Sequence, residues 1–255
     1  AGGLLGIQEL LKSPRDGYTL MVNISGVVSE VPHAIKVPFD PLKVLMPVAE
    51  MARGGLVLVT NTQTGAQDLD GFIKYVKANK GKTSFASYSA GTISHYTGMI
   101  LNQKAGLDLQ HVPFQGSPPA LAQVMGGQIP MMFDGYATSR NLIATGKVQA
   151  YAVASKHRLS QLPEVPTLTE LGYPDLDFSN WMGVIVSSGV SPELQGKIHK
   201  AVRNVALNPK FRGRMFATGF EGAEDWNIQQ LTQAAKTEFE RNAAIVKAFD
   251  IKLNQ

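Results

Sequence analysis

Short apolar runs of strand length alternate with helix-period patterns through most of this chain, and that alternation limits the fold more than any other feature. A strand covered on both faces reads as an unbroken apolar run, whereas a covering helix shows apolar residues three and four apart. Predicted strands lie at residues 18–22, 56–59, 83–86, 129–133, 148–153 and 183–186, with a strand end at 111–114. Between them, Asp68 starts a helix that carries Leu69, Phe72, Ile73 and Val76 on one face and ends near Asn79. Further helices are predicted at 93–104, closed by Gly106, and at 118–124, stopped by Gly126 and Gly127. Ser191, Pro192 and Glu193 mark a helix start as N-cap, first helical residue and first-turn acid. Asn208 and Pro209 break that helix, and the last one begins near Asn227. Strands that alternate with helices predict an α/β fold with substantial parallel pairing. The pattern changes after Trp181, itself read as a core residue, and no polar linker separates the parts. Both observations fit a chain that crosses between two lobes more than once.

Composition narrows the function classes. The 255 residues suffice for one large domain or two ordinary ones, and 44% hydrophobic with 17% charged residues is globular rather than disordered. A net charge of +4 is spread without basic clusters, so no nucleic-acid partner is expected. The chain has no cysteine, which removes thiol catalysis, disulfides and Cys-ligated metals, and which suits an oxidising compartment. No apolar stretch is long enough to span a membrane, and the opening at Ala1 rather than Met reads as a processed or truncated start. His33, His95, His111, His157 and His199 are dispersed, with no metal-ligand spacing, so no metal is expected. Neither a Walker A loop nor G-x-G-x-x-G occurs, so no cofactor is expected.

The most informative segment is Ser87, Tyr88, Ser89, Ala90, Gly91 and Thr92, which joins a strand to a helix through small and hydroxyl residues. Such a turn can present backbone N–H groups and the positive helix end to an anion, with Gly91 allowing close approach. It can equally be a plain N-cap through Thr92 or Ser94. Phe114 and Gly116 lie in a second turn of this kind, with Ser117 as the expected N-cap; Asp134 lies in a third, as a ligand contact or a helix cap; and Asn23 with Ser25 forms a fourth. Ligands of α/β sheets gather beyond strand carboxyl ends, so the repetition of such turns points to binding. A serine-hydrolase alternative rests on Ser89 in a near G-x-S-x-G, but Ser87 stands where the first glycine is needed for the strained turn.

Several segments recur in a fixed order: Asp16 to Leu20, Pro47 to Ala49, Ala86 to His95, His111 to Ser117, Gly126 to Gln128, Met132 to Asp134, Gly146 to Val148, Leu162 to Gly172, and Trp181. In number, order and spacing they closely resemble the Bug/TctC family, the extracytoplasmic solute receptors of tripartite tricarboxylate transporters. The resemblance implies a type II periplasmic-binding-protein fold whose two α/β lobes close like a hinge on a ligand. Crossings are expected near Val59-Thr60-Asn61 and Trp181-Met182-Gly183, giving lobe 1 as 1–60 with 182–255 and lobe 2 as 61–181. The family pattern begins with a strand, a helix and a second strand, which are expected to be missing here ahead of Ala1 together with the contacts of their connecting loop. The resemblance further implies a monomer of the periplasm, its signal peptide removed, that captures a di- or tricarboxylate, amino acid or aromatic acid without chemistry. Its partners would be the membrane subunits of the transporter, or it would act as a sensor; the effector-binding part of a transcriptional regulator is the alternative. No catalytic residue is expected. The ligand-contacting set is Asn23, Ser25, Ser87, Ser89, Ala90, Gly91, Thr92, Phe114, Gly116 and Asp134.

Overall fold

The computed structural model describes residues 3–34 and 36–251. In chain order the elements are α1 (Leu4–Lys12), β1 (Met21–Ile24), three single-turn helices α2 (Gly26–Ser29), α3 (Val31–Ala34) and α4 (Pro41–Val44), and the long strand β2 (Leu45–Asn61). Then come α5 (Leu69–Ala78), β3 (Thr83–Ser87), α6 (Ile93–Lys104), β4 (Leu109–Pro113), α7 (Ser117–Met125), β5 (Met131–Gly135), α8 (Tyr136–Ala144) and β6 (Val148–Ala154). The chain ends with β7 (Ser179–Ser187), α9 (Pro192–Ala206), α10 (Pro209–Ala217), β8 (Glu221–Gly222) and α11 (Ile228–Ala248).

These elements form two units. One comprises the described residues up to Arg53 and from Asn180 onward; the other is Gly54–Ser179. The chain therefore changes unit inside β2 and again inside β7. The first change falls before the expected crossing at 59–61, because β2 from Leu56 to Thr60 already pairs with β5 on one side and β6 on the other.

In the first unit β1 pairs antiparallel with β7, and β8 pairs antiparallel with β2. Ile7 and Leu10 from α1, Val27 and Val28 from α2, Leu45, Trp181, Ile185, and Leu231 and Ala235 from α11 make one buried cluster. Trp181 is thus core, as its isolation in the sequence suggests. The strand expected at 18–22 starts later, at Met21: Tyr18 is 91% exposed, and its N–H bonds the Asp16 carboxylate at 3.1 Å in a turn.

In the second unit β3 pairs parallel with both β4 and β5, while β2 runs antiparallel to β5 and β6. The sheet is mixed, so parallel pairing is less extensive than the alternation of elements suggests. Successive strand residues face opposite ways. Ala86, Met132, Val57 and Val59 pack against Ala120, Leu121 and Val124 of α7. Phe85 points the other way, toward α6: a Cβ placed on Gly98 would lie within 2.5 Å of the Phe85 ring, so only glycine lets α6 sit this close. The two helices cover opposite faces, as right-handed crossovers running in opposite directions require, from β3 to β4 through α6 and from β4 back past β3 to β5 through α7.

Helix ends follow the sequence signals closely. Asp68, Ser191 and Asn208 cap α5, α9 and α10, and Asn227 with Gln230 forms a capping box on α11. Gly106 sits at φ 61 beyond α6. Among the described residues no helix is long and apolar enough to cross a membrane.

Candidate functional site

Because β3, β4 and β5 are parallel, Ser87, Pro113 and Gly135 end at one edge of the second unit's sheet. From β3 the chain goes to β4 on one side, then returns past β3 to β5 on the other. That reversal makes a topological switch point between β3 and β5, where open α/β sheets form their ligand crevice.

The loops beyond these strand ends are tied to one another. Phe114 N–H donates to the Ser87 carbonyl at 2.9 Å and Gly116 N–H to the Tyr88 carbonyl at 2.8 Å, extending the β3–β4 pairing into the turns. The buried Ser94 hydroxyl donates to the Phe133 carbonyl at 2.5 Å, joining α6 to β5. Asp134 is fully buried; one carboxylate oxygen accepts from the Ser117 hydroxyl and the other from the Thr138 hydroxyl, each at 2.5 Å. Within the 87–92 turn the Ser87 hydroxyl donates to the Ser89 carbonyl at 3.0 Å and the Thr92 hydroxyl to the same carbonyl at 2.7 Å. Gly91 holds φ 73, which favours glycine. The exposed Ser89 hydroxyl makes only a 3.3 Å bond to the Ala90 carbonyl.

Capping chemistry separates these helix starts from five others in the chain, although α1 and α2 also start without a side-chain cap. The side chains of Asp40, Asp68, Ser191, Asn208 and Asn227 cap α4, α5, α9, α10 and α11. The N-cap residues of α6, α7 and α8, which are Thr92, Gly116 and Gly135, make no side-chain cap, and none of the three helices has an acid in its first turn. The Thr92 hydroxyl instead turns back to Ser89, and the Ser117 hydroxyl goes to Asp134, so Gly116 rather than the expected Ser117 is the N-cap of α7. Three positive helix ends converge where no N-cap side chain neutralises them.

The Asp134 carboxylate is turned inward, onto the Ser117 and Thr138 hydroxyls. Burial pushes the Asp134 carboxyl up to about 6, against the pull of the Ser117 and Thr138 hydroxyls and the Gly135 N–H. The folded protein therefore holds this proton more tightly than the unfolded chain between the ordinary value of 3.8 and about 6, so its contribution to stability falls as pH rises through that window. Asp134→Asn removes the effect. In urea titrations the variant is expected to gain on the parent by up to about 1.4 kcal/mol per pH unit across this window. A stability difference that stays flat with pH would contradict the assignment.

Two histidines lie under the turn. His95 and His111 stack with ring centroids 3.7 Å apart and 11° between planes. His111 Nε2 is 2.7 Å from the Ser87 hydroxyl, and Gly91 N–H donates to His95 Nδ1 at 3.2 Å. Ser87 is fully buried and its proton goes to the Ser89 carbonyl, while Ser89, the serine of the near-elbow motif, bonds the Ala90 carbonyl. The sequence suggests packing for His111 but does not show that the two rings meet.

Of the ten residues expected to contact ligand, Ser87, Ser89, Ala90, Gly91, Thr92, Phe114, Gly116 and Asp134 lie around this one strand-end cluster of the second unit. Asn23 and Ser25 lie in the first unit. Asn23 pairs with Gly183, and its side chain accepts the Ile24 N–H at 2.8 Å. Ser25 is buried at the start of α2, with its N–H on the Trp181 carbonyl at 2.8 Å. Ser94, Ser117 and Thr138 tie the cluster together. Their positions after strands were visible in the sequence, but their partners on other elements were not.

Comparison with known proteins matches the model of the tripartite tricarboxylate transporter family receptor, TctC, over residues 1–251. A UPF0065 protein from the tcbD-tcbE intergenic region of a Pseudomonas species is 30% identical over 100% of this chain and 76% of its own length. BugT of Bordetella pertussis is 31% identical over 85% of this chain and 67% of its own. Among solved structures, the periplasmic binding protein BugD superposes with TM-score 0.86 at 27% identity, covering 100% of this chain and 85% of that one. The malate-bound MatC of Rhodopseudomonas palustris does so with TM-score 0.82 at 28% identity, covering 96% and 85%. The mixed α/β fold is that of these periplasmic binding proteins, and the chain belongs to the tripartite tricarboxylate transporter receptor family, whose members are solute-binding proteins rather than enzymes.

Proposed function

We propose that this protein captures a small carboxylate at the carboxyl ends of β3, β4 and β5, in the periplasm, for the membrane subunits of a tripartite tricarboxylate transporter. The observation that carries the reading is the convergence of α6, α7 and α8 at one switch point, without side-chain caps and without first-turn acids. An anion there gains from backbone N–H groups and aligned helix dipoles. The exposed Ser89 hydroxyl is a further donor, since its bond to the adjacent carbonyl is long. Malate in MatC, a relative of the same fold at 28% identity, supports a carboxylate over other anions. No step of the function requires bond making; capture and release suffice.

A ligand that binds only the folded state stabilises it by about 2.7 kcal/mol at a hundred times its Kd. A thermal-shift panel of mono-, di- and tricarboxylates is expected to give a saturable rise in melting temperature with at least one member. The corresponding neutral amides should give none. A panel in which every carboxylate leaves the transition unmoved at saturating concentration would overturn the reading.

A further inference from the structure

Of the histidine pair beneath the 87–92 turn, His95 is buried and His111 half-buried, and specific bonds order both rings. A backbone N–H can only donate, so the Gly91 contact requires an unprotonated His95 Nδ1 and places the imidazole proton on Nε2. The Ser87 hydroxyl has a single proton, which goes to the Ser89 carbonyl. It must then accept at His111, which makes His111 Nε2 the protonated nitrogen. Two directed chains result. One runs from His111 Nε2–H through the Ser87 hydroxyl to the Ser89 carbonyl; the other runs from Gly91 N–H to His95 Nδ1. Together they fix both ends of the turn, at Ser87 to Ser89 and at Gly91. The two rings are locked face to face, with Phe85 beside them at 5.0 Å from His111 and 6.4 Å from His95.

We infer that His95 is a positioning residue for the ligand turn: its unprotonated Nδ1 holds the Gly91 N–H, keeps Gly91 left-handed and so sets the direction of the donors between Ser89 and Thr92. The inference rests on the carboxylate reading for its effect on affinity, but not for its effect on the turn. Burial supports it. It holds the His95 imidazole down at about 4, and burial together with the neighbouring His95 holds His111 down at about 3. The acceptor form of His95 is therefore the one present at neutral pH.

The test uses two variants. His95→Asn keeps an acceptor oxygen where Nδ1 stands, whereas His95→Leu fills similar space with no acceptor. In the unliganded protein, long-range imidazole proton–nitrogen spectra should show His95 protonated at Nε2 and bare at Nδ1. Amide exchange at Gly91 should be about tenfold faster in the Leu variant, the loss expected for one buried hydrogen bond. The Asn variant should restore it to within about threefold of the parent. Malate titrations should follow the same order, with Leu weakest. Unchanged Gly91 protection in His95→Leu, or a proton found on Nδ1, would overturn the assignment. Failure of malate and of every other carboxylate of the panel to bind the parent would count against the ligand reading alone, because exchange at Gly91 still decides the role of His95.

Discussion

Trp181→Ala is expected to destabilise the first unit by about 3–5 kcal/mol, the range for emptying a large aromatic site in a packed core. Trp181 is fully buried among Ile7, Leu10, Val27, Val28, Leu45, Ile185, Leu231 and Ala235, drawn from α1, α2, β2, β7 and α11. The indole thus holds α1 and α11 onto β7, and its neighbours cannot close the gap without moving several elements. Its backbone carbonyl also accepts the Ser25 N–H, a bond the substitution leaves in place. The indole Nε1 has no hydrogen-bond partner among the described residues, so Trp181→Phe removes an unsatisfied donor along with part of the ring and should cost much less than Ala. Trp226, the second of the two tryptophans, remains as a fluorescent reporter for urea unfolding. A loss below about 1 kcal/mol for the Ala variant would show that the cluster repacks freely.

Gly91→Val is the second large effect, and it acts on binding rather than on the core. At φ 73 a β-branched residue is strained by about 1–3 kcal/mol. The turn would relax away from the conformation that offers its donors. Affinity scales with the fraction of molecules in the competent conformation, so Kd should rise by about ten- to a hundredfold. Gly146→Val is the control: it imposes similar strain at φ 66, has open space for the side chain, and lies beyond the far end of α8 from the turn. Calorimetric titration with the strongest carboxylate of the panel should show binding impaired by the first substitution and preserved by the second. Equal affinity in both would remove the 87–92 turn from the ligand contacts.

Much of this architecture is local chemistry and could be read residue by residue. Asp68, Ser191, Asn208 and Asn227 announce helix starts because a short polar side chain satisfies the first free N–H groups whatever the tertiary context. The apolar run at 56–59 announces a buried strand because a strand covered on both faces has no polar side to show. The features that escaped are nonlocal. β2 extends over 17 residues, where the sequence shows a strand only at 56–59, because partner strands on each side impose extension on it through Pro47, Gly54 and Gly55. The Ser117 hydroxyl looks like a cap yet serves Asp134, seventeen positions along the chain on another strand. The His95–His111 stack depends on the β3–β4 register that sets Phe85 opposite His111 and on the approach of α6 permitted by Gly98. Small-residue turns after strands were visible; that three of them share one edge follows only from the order of β4, β3 and β5.

The most direct measurement is amide chemical-shift mapping as the strongest carboxylate of the panel is titrated in. The account predicts that the largest perturbations fall on the amides between Ser89 and Thr92 and on Gly116, and that they saturate with the calorimetric Kd. Perturbations concentrated instead on the open cleft at the start of α5, around Gly65, Asp68, Gly71 and Lys74, with residues 87–92 unmoved, would contradict it.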